Sequence, residues 1–224
     1  MAKGQEKAII AICGLNDPFV PQPEPTTESA NFDFDAEVRQ KGNAWLRNTP
    51  DARTRKRPQP CWSDCLPHLR HAFRNLCGYA AMRIESKGTV DHFQSWARTK
   101  ETRPELAYEW TNYRFCSASI NSLKNKFDED VLDPFEVQDG WFRVTLPDMQ
   151  LLLTDRVPAT HRARAETTLT RLQLSHGEDL VEFWRARYDQ YKEGGEPILN
   201  MMDEWAPLVA RAIREKLAAG ERLP

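Results

Sequence analysis

The sequence lacks the features that mark membrane-spanning and secreted proteins. No apolar run reaches the ~18 residues that a transmembrane helix needs. The short apolar stretch at 8–15 leads into charged and Pro-rich residues without a signal-peptide cleavage pattern. The five cysteines are odd in number and irregularly spaced, which argues against a disulfide framework. We therefore expect a cytoplasmic protein that does not act at a membrane.

A strong excess of either charge is also missing. The 224 residues carry a formal net charge of −2. A dedicated non-specific DNA binder is usually far more basic, because phosphate contacts dominate its affinity. Any nucleic-acid surface must therefore be a local patch or come from a partner. With 40% hydrophobic and 10% aromatic residues, the chain can still build a core.

Helical patterns dominate the chain, and short strand candidates lie in its middle. We expect an α+β fold that is mostly helical, with an N-terminal arm and helix over 1–57, a core over 58–135 and a C-terminal helical region over 136–224. Residues 16–31 contain four prolines and predict an extended arm. The periodicity predicts helices over 33–47, 62–76, a stretch after Pro104, 117–127, 158–173, 178–193 and 197–219. It predicts strands over 79–84, 89–93 and 141–146.

Three features have more than one interpretation. Four of the five residues at 53–57 are basic, so this segment is either a solvated loop or a strap that contacts phosphates. Cys61 and Cys65, four residues apart, are either small buried residues or metal ligands. The broad apolar face of 197–219 is either core or a partner surface.

Polar residues with chemical potential follow one another between 91 and 124. Asp91 and His92 lie near the end of a strand candidate, Asn112 follows in a loop, and Asn121 and Lys124 lie on the next helix candidate. Adjacent residues of a strand point to opposite faces. A local bend is therefore needed for Asp91 to reach a metal while His92 reaches a water molecule, and hairpin ends and bulges provide such bends.

The segments TVDHFQSW and YEWTNYRFCSASINSLKNK resemble an HNH (ββα-metal) nuclease finger. They are most similar to the subgroup that includes the HNH effectors of Septu and retron anti-phage systems. The similarity covers about 61–175, and its specific part lies within 77–126. It implies a ββα-metal finger embedded among helices. Asn112 and Asn121 are nine residues apart, which is the offset of that pattern.

The resemblance implies a role for each matching residue. Asp91 matches the acidic metal ligand, and Asn121 matches the metal ligand at the start of the helix. His92 matches the general base. Asn112 matches the middle Asn, which orients the base through its ring or backbone.

The resemblance also implies a surface that holds the substrate. Lys124 matches the helix lysine, near a phosphate, and we expect Arg114 and Lys126 to contribute to the same substrate-binding surface. Trp96, Trp110 and Tyr113 either stack on bases or pack in the core.

The chain departs from the family pattern at the two zinc knuckles. The first would need cysteines at 77 and 80, and the chain has Cys77 and Ala80. The second would need them at 117 and 120, where Ser117 and Ile120 stand. Tetrahedral Zn²⁺ requires four ligands. We therefore expect no structural zinc, and we expect apolar packing of Ala80 and Ile120 in its place.

These expectations combine into a metal-dependent endonuclease that hydrolyses DNA. One carboxylate, one amide and several waters suit a single Mg²⁺ or Mn²⁺ ion. A neutral imidazole can take a proton from the attacking water. The resemblance further implies a role in bacterial anti-phage defence and an ATPase partner subunit. The alternative is a non-catalytic nucleic-acid-binding or assembly subunit on a degenerate HNH scaffold. RNA also remains a possible substrate.

Overall fold

The computed structural model describes residues 32–224, and the N-terminal arm predicted over 16–31 lies outside this range. About 52% of the described residues are helical, and two small antiparallel sheets complete a mixed α+β fold. The helices are α1 (Lys41–Asn48), α2 (Leu66–Ala72), α3 (Trp96–Thr99), α4 (Ala118–Lys124), α5 (Ala159–Arg171), α6 (Glu178–Gly194), α7 (Glu196–Trp205) and α8 (Pro207–Ala218). The strands are β1 (Thr89–His92), β2 (Tyr113–Cys116), β3 (Phe142–Val144) and β4 (Leu151–Leu153).

Short helical turns supplement these elements. A π-helical turn, Asp35–Gln40, leads directly into α1. The 3₁₀ turns are Ala52–Thr54, Cys61–Cys65, Pro104–Tyr108 and Trp110–Asn112.

The described chain divides into two units, and each of them is discontinuous in sequence. The hairpin unit contains residues 32–75 and Glu85–Asp128. The C-terminal unit contains Leu76–Ile84 and Glu129–Pro224. The short segment Leu76–Ile84 thus belongs with residues that follow it by about 45 positions or more in the chain.

The hairpin unit is built around β1, β2 and α4. The two strands pair antiparallel, with Thr89 opposite Cys116 and His92 opposite Tyr113. Every residue of β2 is buried, so this strand is the centre of the unit. The Ser117 hydroxyl accepts a hydrogen bond from the Ile120 amide and thereby caps the start of α4. The following helix packs on β1 and completes a β-β-α unit.

Close packing explains why α1 contains a glycine. Gly42 lies in the middle of α1, where a glycine normally weakens a helix. A Cβ atom at this position would overlap the ring of Tyr108, which is completely buried. The glycine therefore lets α1 approach the 3₁₀ turn Pro104–Tyr108 closely.

The C-terminal unit packs the β3–β4 hairpin with four helices. Phe142 pairs with Leu153 at the start of this hairpin. The apolar face predicted over 197–219 is mostly core, because Met202, Leu208, Val209 and Ile213 are all buried. Within residues 32–224, no helix is long and apolar enough to cross a membrane.

The structure corrects three predicted elements. The strand predicted over 79–84 is wrong: the segment forms turns and one isolated bridge between Leu76 and Arg83. The helix predicted after Pro104 is only a 3₁₀ turn. The helix predicted over 197–219 is two helices, which separate at Ala206 because Pro207 cannot continue the hydrogen bonding of α7.

Candidate active site

The β1–β2 hairpin distributes the predicted site residues over its two faces. Asp91 lies opposite Arg114, and His92 lies opposite Tyr113. The rings of His92 and Tyr113 meet edge to face, with centroids 5.1 Å apart. Asp91 instead contacts Lys124 of α4. The alternation of a regular strand is thus retained through His92, the last residue of β1. The local bend predicted at Asp91 and His92 is therefore absent, and the two side chains lie on opposite faces of the hairpin.

A main-chain carbonyl holds the His92 ring. Nε2 of His92 donates a hydrogen bond to the Ala107 carbonyl oxygen at 2.9 Å. The Tyr113 hydroxyl donates to the same oxygen at 2.8 Å. Because a carbonyl can only accept, the neutral ring carries its proton on Nε2. The lone pair of the ring is therefore on Nδ1, which is the atom that can act as a base.

Aromatic side chains surround this imidazole. The Trp62 ring meets the His92 ring edge-on, with centroids 4.5 Å apart and an interplanar angle of 82°. The His92 ring is only partly exposed, and burial lowers its pKa from the ordinary value. The bond to Ala107 and the Asp91 carboxylate oppose this shift, and the positive charge of Lys124 adds to it. Burial therefore favours the neutral ring that a general base requires.

Asn112 fixes the main chain on both sides of the site. Its buried amide nitrogen donates to the carbonyl oxygens of Gln94 and Leu106, both at 3.0 Å. Its amide oxygen accepts from the Gln94 nitrogen at 2.8 Å. Asn112 thereby connects Gln94, two residues after His92, to Leu106, the residue before Ala107. Asn112 therefore influences His92 only through the backbone, as a positioning residue would.

Lys124 is enclosed by oxygen atoms on the other face of the hairpin. The side chain has no solvent exposure, and its Nζ lies 3.1 Å from Asp91 Oδ1 and 3.4 Å from Asp128 Oδ1. It also donates to the carbonyl oxygens of His92 and Phe93, at 3.1 and 2.9 Å. Two buried carboxylates and two carbonyls thus surround one ammonium group.

Asp128, four residues beyond the end of α4, closes this arrangement. It is buried, and its Oδ2 accepts a hydrogen bond from the Ser95 nitrogen at 2.6 Å. Phe93 lies under two cations, because the Arg114 guanidinium and the Lys124 ammonium are each 5.3 Å from its ring centroid. The Asp91 face of the hairpin is therefore an ordered, charged interior.

Asn121 also faces β1. Its amide nitrogen donates to the Val90 carbonyl at 3.3 Å, which brings the head of α4 against the strand that carries Asp91. An Asp carboxylate and an Asn amide oxygen are ligands that Mg²⁺ and Mn²⁺ prefer. The buried Lys124 ammonium already pairs with Asp91, so an ion bound there would share this carboxylate with Lys124. The donor chemistry therefore fits a hard divalent cation.

Asp91 and Asn121 differ from the donors of a metal site that is built from several carboxylates or cysteine thiolates. In the part of the chain that the structure describes, no group of three or more His, Cys, Asp or Glu residues could hold a metal ion. No disulfide joins the cysteines of residues 32–224, and Cys65, Cys77 and Cys116 are buried. Burial raises the pKa of Cys65 to about 12, so it is a protonated, apolar side chain at neutral pH.

The other predicted substrate-binding and stacking residues have clear positions. Arg114 is buried and donates to the carbonyls of Thr111 and Tyr113, whereas Lys126 is exposed. Lys124 is buried as well, so Lys126 is the exposed one of the three predicted substrate-binding residues. The three aromatic residues predicted to stack or to pack are all buried: Trp96, Trp110 and Tyr113.

The knuckle positions have structural roles. Ser117 caps α4, and Ala80 and Ile120 are both buried.

Sequence reasoning missed three parts of the site. Asp128 lies four residues after Lys124 in the sequence but beyond the end of α4, so helical periodicity does not single it out. Trp62 is distant in sequence from the finger and carries no motif. The Ala107 carbonyl is a main-chain atom, so its role leaves no trace in residue type. Comparison of the chain with known protein families, with curated proteins and with solved structures found no match.

Proposed function

We propose that this protein is a metal-dependent endonuclease that hydrolyses phosphodiester bonds in DNA, with His92 as its general base. The observation that carries the proposal is the bond from His92 Nε2 to the Ala107 carbonyl, which leaves Nδ1 as the basic atom. Burial supports it further by lowering the pKa of His92, which keeps the ring neutral. The β-β-α order of β1, β2 and α4 agrees with the finger that the sequence resembles.

The chain's own residues perform the proton transfer. Nδ1 of His92 removes a proton from a water molecule as that water attacks phosphorus. The imidazolium that forms keeps its Nε2–H on Ala107 and gains stabilisation from the negative charge of Asp91. Asn112 keeps the two main-chain segments beside the ring in register, so the base does not need to reorient during the step.

In this proposal, Asp91 and Asn121 act on the anionic substrate through a metal ion. Asp91 and Asn121 are the residues that would hold one Mg²⁺ or Mn²⁺. Such an ion, when bound, supplies positive charge to a non-bridging phosphate oxygen and to the leaving 3′-oxygen. Lys124 holds Asp91 in place by its ammonium group.

The cellular setting follows from the resemblance and the charge. Similarity to Septu and retron effectors supports a role in bacterial anti-phage defence. The net charge of −2 supports action within a complex, in which an ATPase partner supplies part of the DNA contact or the trigger.

A plasmid nicking assay tests the proposal. We expect nicking in Mg²⁺ or Mn²⁺ that is abolished by chelation and reduced at least ~100-fold by His92→Ala, because general-base catalysis contributes about 10²–10⁴-fold. His71→Ala, which changes an exposed histidine of α2, is the matched control and should retain activity. Equal rates for the two variants, or no nicking of DNA or RNA with the partner present, would count against the proposal.

One observation favours a second candidate function. The Asp91 carboxylate has a permanent counter-ion in the buried Lys124 ammonium, so the hairpin is electrically balanced without an added ion. This supports a non-catalytic nucleic-acid-binding or assembly subunit. In that case the protein would bind nucleic acid in the nicking assay and leave it intact, and His92→Ala would not alter binding.

A further inference from the structure

The hairpin unit carries a cluster of positive charge that the proposed function does not use. The segment 53–57, here called the basic strap, contains Arg53, Arg55, Lys56 and Arg57, and all four are exposed. Arg55 pairs with Asp51 at 3.2 Å. Within residues 32–224, no ion pair involves the other three basic residues of the strap.

Aromatic residues anchor this strap. The Trp96 indole Nε1 donates to the Arg55 carbonyl at 3.0 Å. The Arg55 guanidinium lies over the Trp45 ring, 5.8 Å from its centroid. Pro58, directly after the strap, is buried. The strap is therefore held against the unit, while the side chains of Arg53, Lys56 and Arg57 project from it.

The same aromatic cluster reaches His92. The ring centroids of Trp45 and Tyr108 are 6.5 Å apart, and those of Tyr108 and Trp62 are 6.3 Å apart. Trp62 then contacts the His92 ring at 4.5 Å. Trp45 and Trp62 are both partly exposed. A continuous series of rings thus connects the basic strap to the candidate base.

The charge of this surface contrasts with the rest of the chain. Near the strap, the carboxylate of Asp51 is engaged by Arg55, and Asp64 is exposed close to Lys41. Four basic residues in five positions therefore give a local positive excess on a chain whose net charge is −2. Partly exposed tryptophans beside lysines and arginines are the chemistry that binds single strands, because phosphates pair with the cations and bases stack on the rings.

We propose that the basic strap, Trp45 and Trp62 form a binding surface for single-stranded nucleic acid that leads the strand to His92. This deepens the proposed function, because it makes an unpaired strand the form of substrate that the site receives. Phosphates contact Arg53, Lys56 and Arg57, and bases stack against the two tryptophans.

Binding of labelled oligonucleotides to the full chain tests this surface without requiring cleavage. Fluorescence anisotropy is measured in EDTA with an oligo-dT of about 16 nucleotides, its duplex and the matching RNA. The triple variant Arg53→Gln, Lys56→Gln, Arg57→Gln removes three exposed cations. The matched control is Arg143→Gln, Arg185→Gln, Arg222→Gln, which removes three exposed cations from the C-terminal unit.

We expect the strap variant to bind the single strand at least ~10-fold more weakly and to lower the log–log salt slope by about 2, since each single-strand phosphate contact contributes about 0.7. The control variant should change the affinity by less than about 2-fold. The charge-preserving variant Arg53→Lys, Arg57→Lys should bind nearly as well as the unaltered protein, and Trp62→Leu should weaken binding of DNA and RNA single strands alike.

Two results would overturn the inference. One is an equal loss of affinity in the strap and control variants, and the other is tighter binding of the duplex than of the single strand by the unaltered protein. Failure of the proposed function is a separate outcome: strap-dependent binding with no nicking under any condition would reject the nuclease and retain the surface.

Discussion

Nζ of Lys124 lies 3.1 Å from Oδ1 of Asp91, and the two side chains are 0% and 3% exposed. The same ammonium contacts Asp128, so one positive group stabilises two buried carboxylates. A buried charge without a partner is costly, since desolvation is no longer offset by attraction. The stability of the hairpin unit therefore depends on Asp91, the residue that the sequence suggests as a metal ligand.

Removal of the lysine charge should destabilise the protein strongly. We expect Lys124→Met to lower the free energy of unfolding by about 3–5 kcal/mol, because Asp91 and Asp128 lose their counter-ion. Lys126→Met, two residues along the chain and exposed, should cost less than about 0.5 kcal/mol. Urea denaturation of both variants measures the difference. Similar midpoints for the two would show that the buried pair contributes little.

The pH dependence of His92 has a definite sign. Burial lowers the pKa of the folded ring below the value of about 6.5 that it has in the unfolded chain. As pH falls through about 6.5, the unfolded state takes up a proton that the folded state does not. His92 therefore contributes stability above pH 6.5 that is lost as the pH falls towards its folded pKa. NMR titration of the metal-free protein, with the signal assigned by its absence in His92→Gln, checks this. A midpoint at or above 6.5 would contradict it.

Loss of the Asn112 amide should destabilise the protein, because Asn112 holds the backbone that positions the candidate site. We expect Asn112→Ala to cost roughly 2–3 kcal/mol, because the carbonyls of Gln94 and Leu106 lose a donor and the Gln94 nitrogen loses an acceptor. Asn112→Asp should be worse, since a carboxylate cannot donate to either carbonyl. Thermal unfolding is the measurement, and Asn48→Ala, at an exposed position of α1, is the control. An Asp variant as stable as the parent would show that these bonds are not needed.

The variant Gly42→Ala, which adds a methyl group, should disturb the candidate site through Tyr108. Alanine normally stabilises a helix relative to glycine by up to about 1 kcal/mol. In α1 the added Cβ would instead overlap the buried Tyr108 ring, so we expect Gly42→Ala to lower stability by about 1–3 kcal/mol. Because Tyr108 follows Ala107, nicking should fall as well. Asn43→Ala, the neighbouring position, is the reference, and a more stable Gly42→Ala protein would rule out the close contact.

The sequence predicts the parts of the fold that depend on periodicity. The spacing of Leu66, Leu69 and Phe73 predicts the buried face of α2, and all three are buried. The strand predicted over 89–93 is observed as β1, and the helix predicted from 117 begins directly after its cap at Ser117. The segment 79–84 does not form its predicted strand, because its alternation is overridden by its place in the C-terminal unit, where the Arg83 nitrogen bonds to the Trp205 carbonyl.

The candidate site also has one part that the sequence predicts and another part that it does not predict. Residue types and spacing are enough to single out Asp91, His92, Asn112 and Asn121. They are not enough to predict that Lys124 is buried, because its length lets the ammonium reach the carbonyls of His92 and Phe93 from within the helix. Nor do they predict the contact of Trp62 with His92, which depends on tertiary packing across 30 residues of chain.

The order in which the chain is synthesised has a consequence for its two units. Leu76–Ile84 leaves the ribosome early, yet it belongs to the unit formed with Glu129–Pro224. The Trp205 carbonyl that receives the Arg83 amide emerges more than 100 residues later. A nascent chain that ends at Asp128 holds the whole hairpin unit, but its segment 76–84 still lacks the residues that bury it. Native folding of that segment therefore waits for the C-terminal helices, and a shortened protein without them would expose Tyr79 and Ile84.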